Sequence, residues 1–217
     1  MEIHKESKVS KREMCAAHPS SENISSLYER HAFAWDMERG RSLMERHWLN
    51  DFLSVCGPDA AILDIGCGAG EPIARYLISA GGNVTGIDSS PTLIKLCEER
   101  FPKHSWRVAD MRSLALGKKF DGILAWDSFF HLTPDSQKSM FPIFHAHAKP
   151  GAALMFTSGP SHGESIGMFK GEQLYHASLS ASEYVALLTK EGFTVLQHKE
   201  NDPECGGHTV WLARYNG

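Results

Sequence analysis

Short apolar runs alternate with helical stretches between residue 57 and about residue 157, and no other feature constrains the fold of this chain as much. The apolar runs occupy residues 61–65, 83–87, 105–108, 120–126 and about 151–157, and helical patterns cover about 90–100 and 134–148. Runs that are apolar throughout are typical of strands buried on both faces of a sheet. Strands that alternate with helices predict an α/β fold, with a parallel sheet and helices on both of its faces.

The carboxyl-terminal part of the chain breaks this rhythm. A helical pattern at about 180–191 is followed by two strand patterns, 193–197 and 208–213, and only a loop with Pro and Gly lies between them. Two successive strands without a crossover helix have to pair antiparallel. We therefore predict a doubly wound, mostly parallel sheet with an antiparallel last strand.

The amino-terminal part precedes the alternating pattern. Residues 1–22 mix Lys, Glu, Ser and His without a sustained period, which predicts a flexible arm or a loose first helix. Apolar residues at three- and four-residue steps in 23–56 predict one or two amphipathic helices, interrupted near Gly40. A chain of 217 residues suits one domain, here 23–217, with the core in 57–217.

Charge and cysteine content exclude several classes of protein. The 22 Lys and Arg residues against 26 Asp and Glu residues give a net charge of −4, which does not attract nucleic acid or anionic lipid. Five irregularly spaced cysteines match neither a disulfide framework nor a zinc ribbon. Residues 1–15 lack the apolar core of a signal peptide, and no apolar run is long enough to span a bilayer. We expect a cytoplasmic monomer or homodimer that acts on a small molecule, with no nucleic-acid or membrane partner.

A glycine-dense turn follows the first strand pattern, where Asp64 precedes Gly66, Gly68 and Gly70. Backbone without side chains lets a ligand approach closely at the start of a helix. The spacing is G-x-G-x-G, which differs from the G-x-G-x-x-G of dinucleotide sites. A carboxylate at the strand end suits an ammonium group or hydroxyls better than it suits a pyrophosphate. The turn therefore predicts a cofactor site.

Acidic residues also end the next two strand patterns. Asp88 can accept hydrogen bonds from two vicinal ribose hydroxyls, and Asp110 from an exocyclic amine, while the thioether of Met111 can lie on an adenine face. The carboxyl ends of parallel strands share one edge of a sheet, and ligands of doubly wound folds bind there. We expect these three carboxylates to line one crevice.

In this order, the motifs resemble those of the class I S-adenosylmethionine-dependent methyltransferases that act on small molecules. The resemblance covers about residues 58–215 and rests on segments 62–70, 84–88, 109–111, 120–127 and 149–154. It implies a seven-stranded sheet, S-adenosylmethionine as cofactor, and a lid formed by the helices of 23–56. The cofactor-binding residues so predicted are Asp64, Gly66, Cys67 through its backbone, Gly68, Gly70, Asp88, Ser89, Asp110, Met111 and Trp126, with Tyr28, Trp35 and Arg39 from the lid.

Two residues after the fourth strand pattern are catalytic candidates. Asp127 is either a general base or a capping carboxylate, and His131 is either a base or a residue that orients backbone. Polar stretches at 158–167 and 201–207 should lie near the sheet ends, where loops often set substrate choice. The substrate-binding candidates are Glu164, Tyr175, His176, Glu204 and His208, each with solvated surface as the alternative.

The histidines do not predict a metal site. His145 and His147 are two residues apart and point in different directions on a helix, and Cys205-x-x-His208 lacks a second pair of ligands. The predicted function is methyl transfer to O, N or S of a small molecule. The alternatives are a cofactor-binding regulatory protein without turnover and an NAD-dependent oxidoreductase.

Overall fold

The structure, a computed structural model, describes residues 18–217. The helices are α1 (Ile24–Arg30), α2 (Ala32–Glu38), α3 (Arg46–Cys56), α4 (Ile73–Ser79), α5 (Pro91–Arg100), α6 (Pro134–His147) and α7 (Ala181–Lys190). The strands are β1 (Ala61–Ile65), β2 (Asn83–Asp88), β3 (Ser105–Val108), β4 (Phe120–Ala125), β5 (Ala148–Ser158), β6 (Gly163–Phe169), β7 (Glu172–Ser178), β8 (Phe193–Asp202) and β9 (His208–Tyr215).

A seven-stranded sheet with the order β3-β2-β1-β4-β5-β9-β8 forms the centre of the fold. β1 pairs in parallel with β2 on one side and with β4 on the other, and β9 runs antiparallel to both β5 and β8. The mostly parallel sheet with an antiparallel last strand is therefore confirmed. The chain order reverses at β1, so a crevice opens there at the carboxyl ends of β1 and β4.

Apolar side chains cover both faces of the sheet. Phe129, Phe141 and Phe144 are fully buried against one face, whereas Phe130 is only partly buried. On the other face α3 buries Phe52, and Gly122 of β4 makes room for it, since a Cβ there would lie 2.6 Å from the Phe52 ring.

The position of α3 changes the predicted lid. This helix covers the sheet, against β4 and β5, so only α1 and α2 of the region 23–56 are placed to cover the ligand crevice. The break near Gly40 occurs as predicted, between α2 and α3.

A two-stranded hairpin, β6 and β7, stands outside the main sheet. The prediction of a polar loop over 158–167 was wrong for its second half, since Gly163–Phe169 is a strand. The turn residues Lys170 and Gly171 have φ values of +51° and +82°, as a two-residue hairpin turn requires. Gly, Glu and Ser dominate the start of β6, so the sequence carried no clear strand signal.

The predicted amino-terminal arm is described only from residue 18 onward. Its last residues form a 3₁₀ turn, Pro19–Asn23, which packs against β7 and buries Ser20. Residues 1–17 of the predicted arm lie outside the described residues. None of the described helices combines the length and apolar character needed to cross a bilayer.

Candidate functional site

A cleft of about 370 Å³ opens at the carboxyl ends of the parallel strands, next to the point where the strand order reverses. The glycine turn after β1 and the ends of β2 and β4 form its floor, and α1 and α2 form the opposite wall. The cleft therefore lies where the strand pattern predicted a ligand site.

The three glycines of the turn have different tasks. Gly66 has a φ of +76°, and a Cβ there would lie 2.2 Å from the Cβ of Ser128. Gly68 lines the cleft, and no atom lies within 4 Å of the position of its Cβ. Gly70 was predicted to bind cofactor, but it is buried, and a Cβ there would lie 2.8 Å from the Phe101 ring. Gly66 and Gly70 thus permit packing, whereas Gly68 leaves space for a ligand.

Cys67 also lines the cleft, between the first two glycines. Burial raises the pKa of its thiol well above the usual value. A thiol kept protonated is a poor nucleophile, which agrees with a structural role for the side chain.

Asp64 is the unusual acid of the site. It is only 3% exposed, lines the cleft, and its carboxylate receives no hydrogen bond from the described residues. Burial, together with the nearby charge of Asp88, raises its pKa to about 7, although Arg39 opposes the shift. A buried carboxylate without a partner is costly for a folded protein, so a cationic ligand group would stabilise it.

Asp88 is oriented by backbone hydrogen bonds. Its carboxylate accepts from the amides of Gly68 at 3.0 Å and Ser90 at 2.9 Å. Burial raises the pKa of Asp88, and these hydrogen bonds oppose that rise. Each oxygen keeps a further lone pair, so both can accept from ligand hydroxyls. Ser89, the next residue, lines the cleft as predicted.

Asp110 is paired within its own loop. Its carboxylate accepts three hydrogen bonds from the Arg112 guanidinium, two of 3.0 Å and one of 2.6 Å, and these lower its pKa. A ligand amine would have to compete with Arg112 for this acid. Met111 lies in the cleft wall close to Gly66, so its thioether remains available to an apolar ring.

The lid now consists of α1, α2 and Arg39, the residue that follows α2. Tyr28 of α1, Trp35 of α2 and Arg39 line the cleft. Two acidic residues tie the lid to α5. Glu29 accepts hydrogen bonds from both the amide and the hydroxyl of Thr92, and Asp36 makes a paired contact of 2.6 and 2.7 Å with Arg100. Sequence reasoning missed both acids, because each acts on a residue more than 60 positions away.

Asp127 is held by two basic side chains. One carboxylate oxygen accepts from Arg39 at 3.2 Å and the other from His208 at 2.9 Å. Burial alone would raise the pKa of Asp127, but the hydrogen bonds and charges of His208 and Arg39 outweigh it and lower the pKa. A carboxylate so neutralised is a weak base, which speaks against the first of its two predicted roles.

His131 lines the cleft as a neutral imidazole. Its Nδ1 lies 2.8 Å from the carbonyl oxygen of Tyr175, which can only accept, so Nδ1 carries the proton. Burial lowers the pKa of His131 to about 4, so Nε2 is free to accept from the Tyr28 hydroxyl at 3.0 Å. Burial, with the charge of Asp127, raises the pKa of Tyr28. The two rings form a neutral donor and acceptor pair at the wall of the cleft.

We expect this buried histidine to make stability fall at acidic pH. The unfolded chain binds the proton at about pH 6.5 and the folded protein at about pH 4, so stability is complete above the first value and is lost toward the second. At about 1.4 kcal/mol per pH unit the loss reaches about 3 kcal/mol. Urea unfolding of the wild type and of His131→Gln at pH 7.5, 6.0 and 4.5 should show a smaller loss for the variant. Equal losses in both proteins would contradict the assignment.

The five predicted substrate-binding residues do not line the cleft. Tyr175 is fully buried and donates to Glu164 within the hairpin, and His176 packs against the ring of His131. Glu204 is exposed next to Lys199, and His208 lies behind Asp127. The cleft wall instead includes residues that the sequence analysis did not single out: Ser21, Ser25, Leu132, Thr133 and Ser136.

The histidines considered as metal ligands have other partners. His145 contacts the carbonyl of Glu191, and His147 contacts the carbonyl of Ile143. Elsewhere in the described part of the chain, ligand atoms of His47, Asp202 and Glu204 lie within 4.8 Å of one another. The Lys199 ammonium is 2.7 Å from Asp202 and 3.8 Å from Glu204, so a cation already occupies this cluster.

Trp126 completes the wall beside Asp127. It is 4% exposed, lines the cleft and stacks on His208 with ring centroids 5.6 Å apart. Its position agrees with the predicted contact to cofactor, and it also fixes the plane of the His208 ring.

Known methyltransferases resemble parts of this chain in sequence and most of it in fold. Residues 62–151 match the methyltransferase domain family. Magnesium-protoporphyrin O-methyltransferase of Rhodobacter capsulatus is 32% identical over 133 residues, which cover 57% of this chain and 55% of that protein. Malonyl-[acyl-carrier protein] O-methyltransferase of Pseudescherichia vulneris is 28% identical over 128 residues, 58% of this chain and 49% of that protein. The chain thus matches about half the length of these curated relatives.

Solved structures share the whole fold. The 1,6-didemethyltoxoflavin-N1-methyltransferase of Burkholderia thailandensis, with 1,6-didemethyltoxoflavin and S-adenosylhomocysteine bound, has a TM-score of 0.69 and 22% identity, covering 91% of this chain and 87% of that one. Magnesium protoporphyrin IX methyltransferase of Synechocystis PCC 6803, with bound S-adenosylmethionine, has a TM-score of 0.68 and 15% identity, covering 92% and 99%. At such identities the likeness concerns the fold, and it confirms the predicted α/β class.

Proposed function

We propose that the chain is a class I S-adenosylmethionine-dependent methyltransferase and that it transfers the methyl group of S-adenosylmethionine to O, N or S of a small molecule. One observation carries the proposal. The buried carboxylate of Asp64 accepts no hydrogen bond from the residues that the structure describes, and it faces the cleft beside the glycine turn. The carboxylate of Asp88, oriented by backbone amides, lines the same cleft. An ammonium group and two ribose hydroxyls are the partners that such a pair of acids requires.

The remaining lining residues fit the other parts of this cofactor. Gly68 leaves room for the ligand backbone, and Met111 offers an apolar face for adenine. Arg39, at the lid, can hold the carboxylate of the amino-acid part through guanidinium N–H groups that its contacts with Asp127 and Glu45 leave free. The Arg39 guanidinium lies over the Trp35 ring, and this contact limits the motion of the Arg39 side chain.

When bound, the sulfonium of the cofactor supplies an already activated methyl group. The protein then has to hold an acceptor in line with it and to exclude water. Tyr28 Oη, whose own proton is held by His131 Nε2, can accept a hydrogen bond from the acceptor group and orient it. The lid contacts of Glu29 and Asp36 keep Tyr28 and Trp35 over the cleft.

The size of the cleft and the nature of the relatives support a small-molecule acceptor. About 370 Å³ lies within the usual range for small-ligand sites, and residues of α1 and α2 form one wall of this cleft. The relatives named above are described as acting on a porphyrin, on didemethyltoxoflavin and on a malonyl group carried by a protein. Only the reaction class, methyl transfer, is proposed for this chain on the basis of these relatives.

Calorimetric titration tests the cofactor, and labelling tests turnover. We expect S-adenosylhomocysteine to bind and NAD to show no binding, and methyl-labelled S-adenosylmethionine to label a compound in a small-molecule extract. Tyr28→Phe keeps the ring packing, so it should bind S-adenosylhomocysteine like the wild type and transfer about 10²-fold more slowly, because it loses the hydroxyl that orients the acceptor group.

Three outcomes of these assays would count against the proposal. Binding of NAD in place of S-adenosylhomocysteine would favour an oxidoreductase. Binding of S-adenosylhomocysteine without labelling of any compound would favour a regulatory protein. Wild-type turnover by Tyr28→Phe would show that the Tyr28 hydroxyl does not orient the acceptor.

A further inference from the structure

His208 does not touch the cleft, yet both of its ring nitrogens face groups that only accept hydrogen bonds. Nδ1 lies 2.6 Å from the carbonyl oxygen of Cys205, and Nε2 lies 2.9 Å from a carboxylate oxygen of Asp127. An imidazole satisfies two acceptors at once only when both nitrogens carry protons. The ring is therefore an imidazolium in this arrangement, and the hydrogen bond to Asp127 raises its pKa.

Asp127 links this imidazolium to the lid. Its second carboxylate oxygen accepts from Arg39, whose side chain is 18% exposed and lines the cleft. Asp127 has a φ of +48°, an unfavourable value for a residue with a side chain, so the surrounding contacts hold it in place. A carboxylate shared by two cations leaves the Arg39 guanidinium incompletely neutralised.

The other charged groups near His208 leave Arg39 incompletely neutralised. Glu45, which precedes α3, lies 3.7 Å from Arg39, a looser contact than the one at Asp127. On the β8 side, Asp202 is paired with Lys199 at 2.7 Å. The thiol of Cys205 is buried and its pKa is raised, so it stays neutral. Loss of the His208 proton therefore makes the charge next to Arg39 more negative by one unit.

We infer that His208 is a positioning residue which, as an imidazolium bound to Asp127, keeps Arg39 able to bind the carboxylate of the cofactor, and that this binding weakens when His208 loses its proton. The inference rests on the proposed function and adds a pH dependence to one part of the site. Neutral His208 would keep its Nδ1 proton on the Cys205 carbonyl and present the Nε2 lone pair to Asp127. The full negative charge of Asp127 would then act on Arg39, and Asp127 would compete with a ligand carboxylate for the Arg39 guanidinium.

The direction of the pH effect follows from the raised pKa. The imidazolium is present at and below about pH 6.5, the ordinary histidine value, and is lost as the pH rises through the higher folded value. Affinity for the carboxylate should therefore decrease toward alkaline pH. Ionisation of Asp64 acts in the opposite direction, but on the ammonium group of the ligand.

A pair of ligands separates the two effects. S-adenosylhomocysteine and its decarboxylated analogue share the adenosyl and amine groups, so the ratio of their dissociation constants reports only on the carboxylate. Calorimetry from pH 6.5 to 8.5 should show S-adenosylhomocysteine binding more tightly than the analogue at pH 6.5. This preference should shrink by at least about fivefold at pH 8.5, the lower end of usual coupling between sites.

Two variants control the measurement. In His208→Gln the preference should be small and independent of pH, because a neutral amide replaces the imidazolium. His162→Gln changes an exposed histidine that contacts Glu183, and it should keep the preference of the wild type at each pH. A wild-type preference and pH dependence in His208→Gln would overturn the inference.

Nitrogen NMR of the histidine rings in the ligand-free wild type supplies a test that needs neither binding nor the variant. The His208 signals should show two protonated nitrogens at pH 6.5 and a midpoint above about 6.5, the ordinary histidine pKa. Binding of S-adenosylhomocysteine with a singly protonated His208 at pH 6.5 would overturn the inference and leave the proposed function intact. Absence of binding with a doubly protonated His208 would overturn the proposed function and, with it, the effect on ligand carboxylate.

Discussion

Asp64→Asn is expected to stabilise the free protein and to remove most of its affinity for S-adenosylhomocysteine. The pKa of Asp64 is about 7 in the folded protein and about 3.9 in an unfolded chain. Stability linked to this group is complete below the unfolded pKa and is lost as the pH rises to the folded pKa, at about 1.4 kcal/mol per unit. Asparagine does not ionise, so at pH 8 the variant should be more stable by about 2 to 4 kcal/mol.

The same substitution should weaken binding, because it removes the charge opposite the ligand ammonium. Truncating one partner of a buried charge pair costs about 2 kcal/mol or more, which is at least about 30-fold in affinity. Urea unfolding at pH 4.5 and 8 and calorimetry with S-adenosylhomocysteine measure the two effects. The stability gain should be present at pH 8 and small at pH 4.5.

Asp110→Asn provides a matched control for Asp64→Asn. Asp110 is also an acid that follows a strand of the sheet, β3, but it is exposed and paired with Arg112. Such a surface contact contributes about 0 to 1 kcal/mol. Replacement of Asp110 should change stability at pH 8 by less than about 1 kcal/mol. A destabilised Asp64→Asn that binds with wild-type affinity would show that Asp64 has a structural role and no ligand.

Gly66→Ala is expected to destabilise the protein by about 3 to 5 kcal/mol and to abolish ligand binding. The φ of +76° costs an L-residue about 1 to 2 kcal/mol, and the new Cβ would lie 2.2 Å from the Cβ of Ser128. Ser128 cannot rotate away, because its Cβ is attached to the backbone and its hydroxyl donates to the carbonyl of Ile65 at 2.7 Å. The turn would have to move away from the floor of the cleft.

Two further variants isolate the clash from the backbone strain. Gly117 has a φ of +63° and no atom within 4 Å of the position of its Cβ, so Gly117→Ala should cost only about 1 to 2 kcal/mol. Adding Ser128→Gly to Gly66→Ala should recover part of the loss, as a positive coupling in a double-mutant cycle. Urea unfolding of the wild type, of Gly66→Ala, Ser128→Gly and Gly117→Ala, and of the double variant measures these effects. Equal losses in Gly66→Ala and Gly117→Ala, without recovery, would show that the contact with Ser128 is unimportant.

Much of the fold and the floor of the site follow from local sequence patterns. Buried parallel strands are apolar over their whole length, so their positions were visible as runs, and a polar residue directly after such a run had to lie at the carboxyl edge. Asp64, Asp88 and Met111 were found in this way, and all three line the cleft. Hairpin strand β6 was missed because it lies outside the main sheet and lacks an apolar run.

The sequence by itself determined the α/β class, the site at the strand ends and the acids that face it, because these depend on residues close together in the chain. Only the tertiary structure decided the tasks of Asp127, His131 and His208. Asp127 meets His208 across 81 positions, and Tyr28 meets His131 across 103. Whether a carboxylate is a free base or a paired anchor depends on which charges the fold brings to it, and no local pattern encodes those distant partners.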